Sequence, residues 1–148
     1  MKKFLALVCG AACFFSSVSF AAIAPEKISL GKITPGMSAG ELIAVCGQPN
    51  YKHGDDWVYE KFTVEVDEHH SGNVVEKITT KSGGIATPDG VTVGQSADIL
   101  NSTFGKADDV DVERHGVEYE YYSTDRTKKI KFNVVNNVIT KISCKLID

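Results

Sequence analysis

The sequence predicts an α+β protein made of two tandem repeats, each a helix followed by a three-stranded antiparallel sheet. Three observations lead there. The segment GMSAGELIAVCGQP at residues 36–49 returns as GQSADILNSTFGKA from Gly94. Runs that alternate apolar and polar residues follow each copy, and period two marks a half-buried strand. The last such runs, VVEKITT and VITKISC, align with each other.

Taken in order, the chain opens MKKFLALVCGAACFFSSVSFAAIAP. Lys2 and Lys3 form a positive start. The apolar stretch from Phe4 to Phe15 is shorter than the ~20 residues that span a bilayer. Ser19-Phe20-Ala21 fits the small-x-small rule, so residues 1–21 are expected to be a signal peptide cut after Ala21. Residues 22–83 then form the first repeat and residues 84–148 the second. Cys9 and Cys13 sit too early in the apolar run for a lipid-modified cysteine. The expected location is therefore periplasmic or secreted, with no transmembrane segment after cleavage. Losing Lys2 and Lys3 takes the formal charge from -3 to -5, with 19 acidic residues retained. An acidic chain is a poor match for nucleic acid or an anionic membrane surface. The remaining chain of about 127 residues can bury roughly 65–70% of its unfolded surface.

In the first repeat, Ser38 is an N-cap and Glu41 completes a capping box. Met37 and Leu42 stand at the positions of a hydrophobic staple. Leu42, Val45 and Cys46 share one helix face. Gly47 ends the helix and Pro49 prevents its resumption. Trp57, Tyr59, Phe62, Val64 and Val66 mark two strands, HHSGN a turn, and VVEKITT the third strand. In the second repeat, Ser96 caps, Leu100 and Phe104 form the buried stripe, and Gly105 terminates. Val117, Tyr119 and Tyr121 line one strand face, and Ile130, Phe132 and Val134 the next. Asn136-Asn137 tolerate positive φ and close a hairpin into VITKISCKL. The glycines and proline of SGGIATPDG, residues 82–90, read as a linker. Each copy of about 60 residues would be marginal alone, so the two are expected to bury a shared interface.

The pattern carried by Gly36, Met37, Ser38, Glu41, Leu42, Gly47, Pro49, Trp57 and Tyr59 resembles the small outer-membrane-assembly lipoproteins of the BamE/SmpA type. The tandem arrangement is similar to that of the β-lactamase-inhibitory-protein fold, in which helices pack on an antiparallel sheet. The resemblance implies a non-enzymatic protein-binding module of the bacterial cell envelope, such as an inhibitor, assembly factor or scaffold. Its partner would be another envelope protein. The binding surface expected from the outward positions comprises Tyr122, Glu118 and Glu120, with Tyr51 and Asp55 in the preceding loop region of the first repeat.

The alternative is a small-ligand or metal-binding periplasmic protein. His69 and His70 are the candidate metal ligands, although adjacent residues of an extended chain point to opposite faces. His53 and His115 read as loop residues. Asp108, Asp109 and Asp111 only faintly match a calcium loop and read as a solvated loop. There is no glycine-rich phosphate loop and no local nucleophile signature, so neither an enzyme nor a cofactor is expected. Cys46 and Cys144 fall on core positions of different repeats. Either they form a disulfide, which on the chain-entropy model would contribute about 4–5 kcal/mol by closing roughly 98 residues, or they are two separate buried thiols.

Overall fold

The computed structural model describes residues 22–69 and 72–148. The expected signal peptide, residues 1–21, lies outside them. Among the described residues there are two short α-helices, α1 (Ala39–Cys46) and α2 (Asp98–Phe104), and one 3-10 turn, Pro25–Lys27. Each α-helix is followed by four strands. The first set is β1 (Tyr51–His53), β2 (Asp56–Val58), β3 (Thr63–Asp67) and β4 (Val74–Thr80). The second is β5 (Asp109–Glu113), β6 (Gly116–Tyr122), β7 (Lys128–Val135) and β8 (Val138–Leu146).

All eight strands form one antiparallel sheet in the order β1-β2-β3-β4-β8-β7-β6-β5. This overturns the expected α+β class with two helix-plus-three-strand layers. The molecule is closer to all-β, a continuous sheet with helices of 8 and 7 residues laid on it. The physical reason is that β4 and β8 would otherwise be bare edges. Pairing Ile78 with Cys144 and Thr80 with Ile142 satisfies both, since an unpaired strand edge is a liability. The additional strands are β1 and β5. Their side chains are exposed along their whole length, so burial alternation does not announce them.

The internal repetition seen in the sequence recurs in the hydrogen bonds. Gly36 N–H donates to Val75 O at 2.7 Å, and Gly94 N–H to Ile139 O at 2.8 Å. Ala39 N–H donates to Asn73 O, and Ala97 N–H to Asn137 O. Both pairs fasten the approach to a helix onto the start of the last strand in its half. Gly36 and Gly94 adopt φ of 92° and 97°, a region that side chains disfavour, which explains why glycine recurs there. At the helix ends, the Tyr59 and Tyr121 hydroxyls donate to the carbonyls of Gly47 and Gly105. The strand order and the β4–β8 register are related by an approximate two-fold through Thr79 and Ser143, whose hydroxyls lie 3.1 Å apart.

One buried cluster lies between the sheet and its covering segments. Leu42 of α1 and Leu100 and Phe104 of α2 enter it, as do Trp57, Val64, Val75, Ile78, Ile130 and Ile142 of the sheet. Phe132 is fully buried against Phe104 and Tyr121, with ring centroids 5.3 and 6.0 Å away. The N-terminal arm also contributes: Ile28, Leu30 and Ile33 are almost wholly enclosed. The expected linker is packed too. Thr87 and Val91 are buried and clasp a tight turn through the Thr87 hydroxyl, which accepts from Val91 N–H.

The helix starts differ. Ser38 caps α1 in a complete capping box with Glu41. The cap expected at Ser96 is displaced by one position. α2 begins after Ala97, which has no side-chain cap, while Ser96 Oγ accepts from Asp98 N–H at 3.3 Å and from Asn137 Nδ2 at 3.2 Å. Ser38→Ala is therefore expected to lower stability by about 1 kcal/mol, and Ser96→Ala by less. Urea denaturation of the two variants measures the difference.

Candidate binding surface

Strand alternation sends one set of side chains to the core and the other to the opposite face of the sheet. On β6 the outward set is Glu118, Glu120 and Tyr122, standing opposite Asn133, Lys131 and Lys129 of β7. Lys131 Nζ bridges Glu118 and Glu120, at 2.5 and 3.0 Å, and Lys129 Nζ reaches Glu120 at 3.0 Å. Asn133 Nδ2 donates to the second oxygen of Glu118. Tyr122 completes the outward row of β6. Its ring is flanked by the Arg126 guanidinium at 4.8 Å and the Lys129 ammonium at 5.8 Å, distances at which cation–π attraction acts.

This network corrects the expected exposure of the two glutamates. Glu120 is only 7% exposed. Burial pushes its carboxyl pKa up, but the polar groups of Tyr122, Lys129 and Lys131 beside it outweigh that and hold it below the ordinary value. Tyr122 is half-buried; among the described residues the exposed aromatic is Tyr51, at 61%. Nor do the expected site residues meet. Tyr51 and Asp55 belong to the β1–β2 hairpin at one margin of the sheet, and five strands separate β1 from β6.

His69 follows β3 in an exposed turn, with Nε2 4.0 Å from Asp55 Oδ1. His70 lies outside the described residues. Among the described residues no three His, Cys, Asp or Glu side chains converge as a metal site. His53, expected in a loop, lies in β1. The acidic run expected as a loop is likewise strand: Asp109 and Asp111 are in β5, while Asp108 Oδ2 accepts from Tyr122 N–H at 2.9 Å.

Cys46 and Cys144 are both free thiols, so the bridge left open by the sequence is not formed. Cys144 is buried at the centre of the sheet between Ile78 and Ile130, and Cys46 sits at the end of α1. Burial pushes both thiol pKa values up.

What the sequence reading missed is the β5 margin. Val110 and Val112 are 48% and 77% exposed. Val110 borders a groove of about 320 Å³ lined also by Leu100, Ala107, Tyr119 and Tyr121. A second concavity of about 390 Å³ lies beside Tyr122, with Lys106, Asp108 and Arg126 on its walls. Its Ser123 hydroxyl is already committed, donating to Asp125 and accepting from Lys128 N–H. The signal for β5 was available in the strict alternation of DVDVE, followed by a glycine at 116.

This architecture is shared with solved proteins of very different sequence. A DUF4309-family protein, YjgB, from Bacillus subtilis superposes with a TM-score of 0.53 at 13% identity, covering 79% of this chain and 81% of that one. An extracellular protein containing an SCP domain from Bacillus anthracis gives 0.54 at 8% identity. It is matched over 98% of this chain, which spans about half (49%) of its length. At these identities the likeness is one of fold. No family model and no curated protein matches the sequence, so the resemblance to the assembly lipoproteins and the inhibitor fold rests on the sequence motifs alone. Among the described residues no helix is long and apolar enough to cross a membrane.

Two predictions follow from this geometry. Glu120→Gln is expected to cost about 1 kcal/mol at neutral pH, because it leaves the half-buried Lys129 without its charge partner while Lys131 keeps Glu118. The native carboxyl titrates below its unfolded value, so the contribution is complete above the ordinary glutamate range. It fades as pH falls through the depressed native value, and urea denaturation across acidic pH should show wild type and variant converging. Separately, a thiol reagent should label Cys46 in the native protein and reach Cys144 only on unfolding, as peptide mass mapping would record.

Proposed function

We propose that this chain is a non-enzymatic protein-binding module of the bacterial cell envelope, periplasmic or secreted, that presents the β5–β6 end of its sheet to a partner protein. The observation that carries the reading is the uneven distribution of exposed apolar side chains. Among the described residues six large ones are exposed, and four of them are Val110, Val112, Val135 and Val138. These belong to β5 and to the β7–β8 hairpin, whereas the core beneath is closed. Val110 and Val112 stand two residues apart on one face of the edge strand, and adjacent exposed apolar side chains mark an interaction site more often than isolated ones do. The ion-paired Glu118–Lys131–Glu120–Lys129 lattice adjoins this end as a rigid polar surface, and polar rims commonly surround apolar contact areas. The extracellular character of one protein sharing the fold agrees with the location expected from residues 1–21.

Site-specific photocrosslinking in the source organism tests the reading. A photoreactive residue at Val112 should give a discrete adduct with one envelope protein, and the same residue at Tyr51, on the opposite margin, should give none. Absence of an adduct from every position along β5 and β6 would overturn it.

A further inference from the structure

β5 is bonded to β6 on one side only. Its register runs from Asp109 opposite Glu120 to Glu113 opposite Gly116 without a shift. Edge strands are commonly blunted by proline, charged side chains or a bulge; DVDVE has no proline and no bulge, and its three charges are all acidic. The strand also separates two chemistries by face. Val110 and Val112 pair with Tyr119 and Val117 on the core side. Val110 lies at the lip of the groove formed with Leu100, Ala107 and Tyr121. Asp109, Asp111 and Glu113 stand on the outer side, next to the row holding Glu118 and Glu120.

The charges decide what could pair there. Glu118 and Glu120 are already neutralised by Lys131 and Lys129. Among the described residues none of Asp109, Asp111 and Glu113 makes an ion pair. A second copy adding its own β5 antiparallel would bring these carboxylates against their equivalents, and like charges directly opposite are destabilising. A strand carrying lysine or arginine on that face would instead meet three acids that make no ion pair. The backbone is poised for the same event. Val110 N–H is taken by the Asp109 carboxylate at 2.9 Å and not by β6, so it points to the open side. A cation drawing Asp109 away would release that donor to an incoming carbonyl.

We propose that β5 is a strand-addition site for an extended segment of a partner protein in which apolar residues alternate with lysine or arginine. This inference rests on the binding-module reading and specifies its partner. Main-chain hydrogen bonds would supply the pairing and the alternating side chains the selectivity. The apolar set would lie beside Val110 and Val112 over the groove, and the basic set against Asp109, Asp111 and Glu113.

The test uses a seven-residue synthetic peptide alternating lysine and valine, with an acidic counterpart in which glutamate replaces each lysine. Amide chemical shifts of the labelled protein should move along β5 and around Leu100 and Tyr119 with the basic peptide, and stay in place with the acidic one. Val112→Pro removes an outward-facing N–H without touching the β6 ladder, a substitution that edge strands tolerate. Asp111→Lys reverses one charge at an exposed position. Each should weaken binding at least tenfold while leaving the melting temperature nearly unchanged. Shifts that map elsewhere, equal binding of the acidic peptide, affinity surviving both substitutions, or self-association through β5 in sedimentation would overturn the inference. None of those results would touch the binding-module reading, which fails only if Val112 and its neighbours capture no partner in the cell.

Discussion

Lys77 to Thr80 of β4 lie antiparallel against Ile142 to Lys145 of β8, and this ladder makes one sheet of two four-stranded halves. On its inner side it brings Ile78, Ile142 and Cys144 together, all fully buried. On its outer side Thr79 and Ser143 share a hydrogen bond at the approximate two-fold. The ladder also sets Lys77 directly opposite Lys145, an arrangement that costs free energy by itself. Glu65 offsets it by pairing with Lys77 at 2.6 Å, and Glu76 by pairing with Lys145 at 3.4 Å. The central seam thus holds through apolar contact below and compensated charge above. Neither half could close its core without it, because each ends on a strand whose hydrogen bonds the other completes.

The same logic of compensation governs the outer face around β6. Three acidic or phenolic groups and two lysines occupy neighbouring positions, and nearly every charge is answered by a neighbour. Glu120 is buried by the aliphatic stems and rings that flank it, so its carboxylate orders Lys129 and Lys131. This lattice gives the exposed end of the sheet a fixed shape, and the carboxylates of β5 lie immediately beside it.

Much of the local structure was legible in the sequence because it is written in short-range chemistry. Ser38 and Glu41 signal a capped helix, and Leu42, Leu100 and Phe104 fall on its buried side. Asn136 and Asn137 adopt φ of 49° and 61°, as a tight hairpin demands. The alternation of Thr63–Asp67 and of β7 gave true strands. The sheet order was not legible, because the union of β4 with β8 is a contact between segments some sixty residues apart that no local pattern encodes. β1 and β5 were missed because exposed side chains leave no apolar rhythm in YKH, and because the aspartates of DVDVE read as a solvated loop. At the candidate surface, alternation correctly placed Glu118, Glu120 and Tyr122 on one face. It could not show that lysines from β7 would cover them, nor that Tyr51 and Asp55 would lie at the far margin.

The strand order carries a consequence for how the molecule is made. β8 is the last of the eight strands along the chain, yet it lies between β4 and β7. Until it arrives, both neighbours present bare backbone toward an empty slot in the middle of the sheet, and the two halves have no common seam. The ladders within β1–β4 and within β5–β7 need no part of β8, so what waits for the last strand is the joining of the two halves. Shortening the chain by that one strand would leave β4 and β7 as two open edges where the continuous sheet now runs.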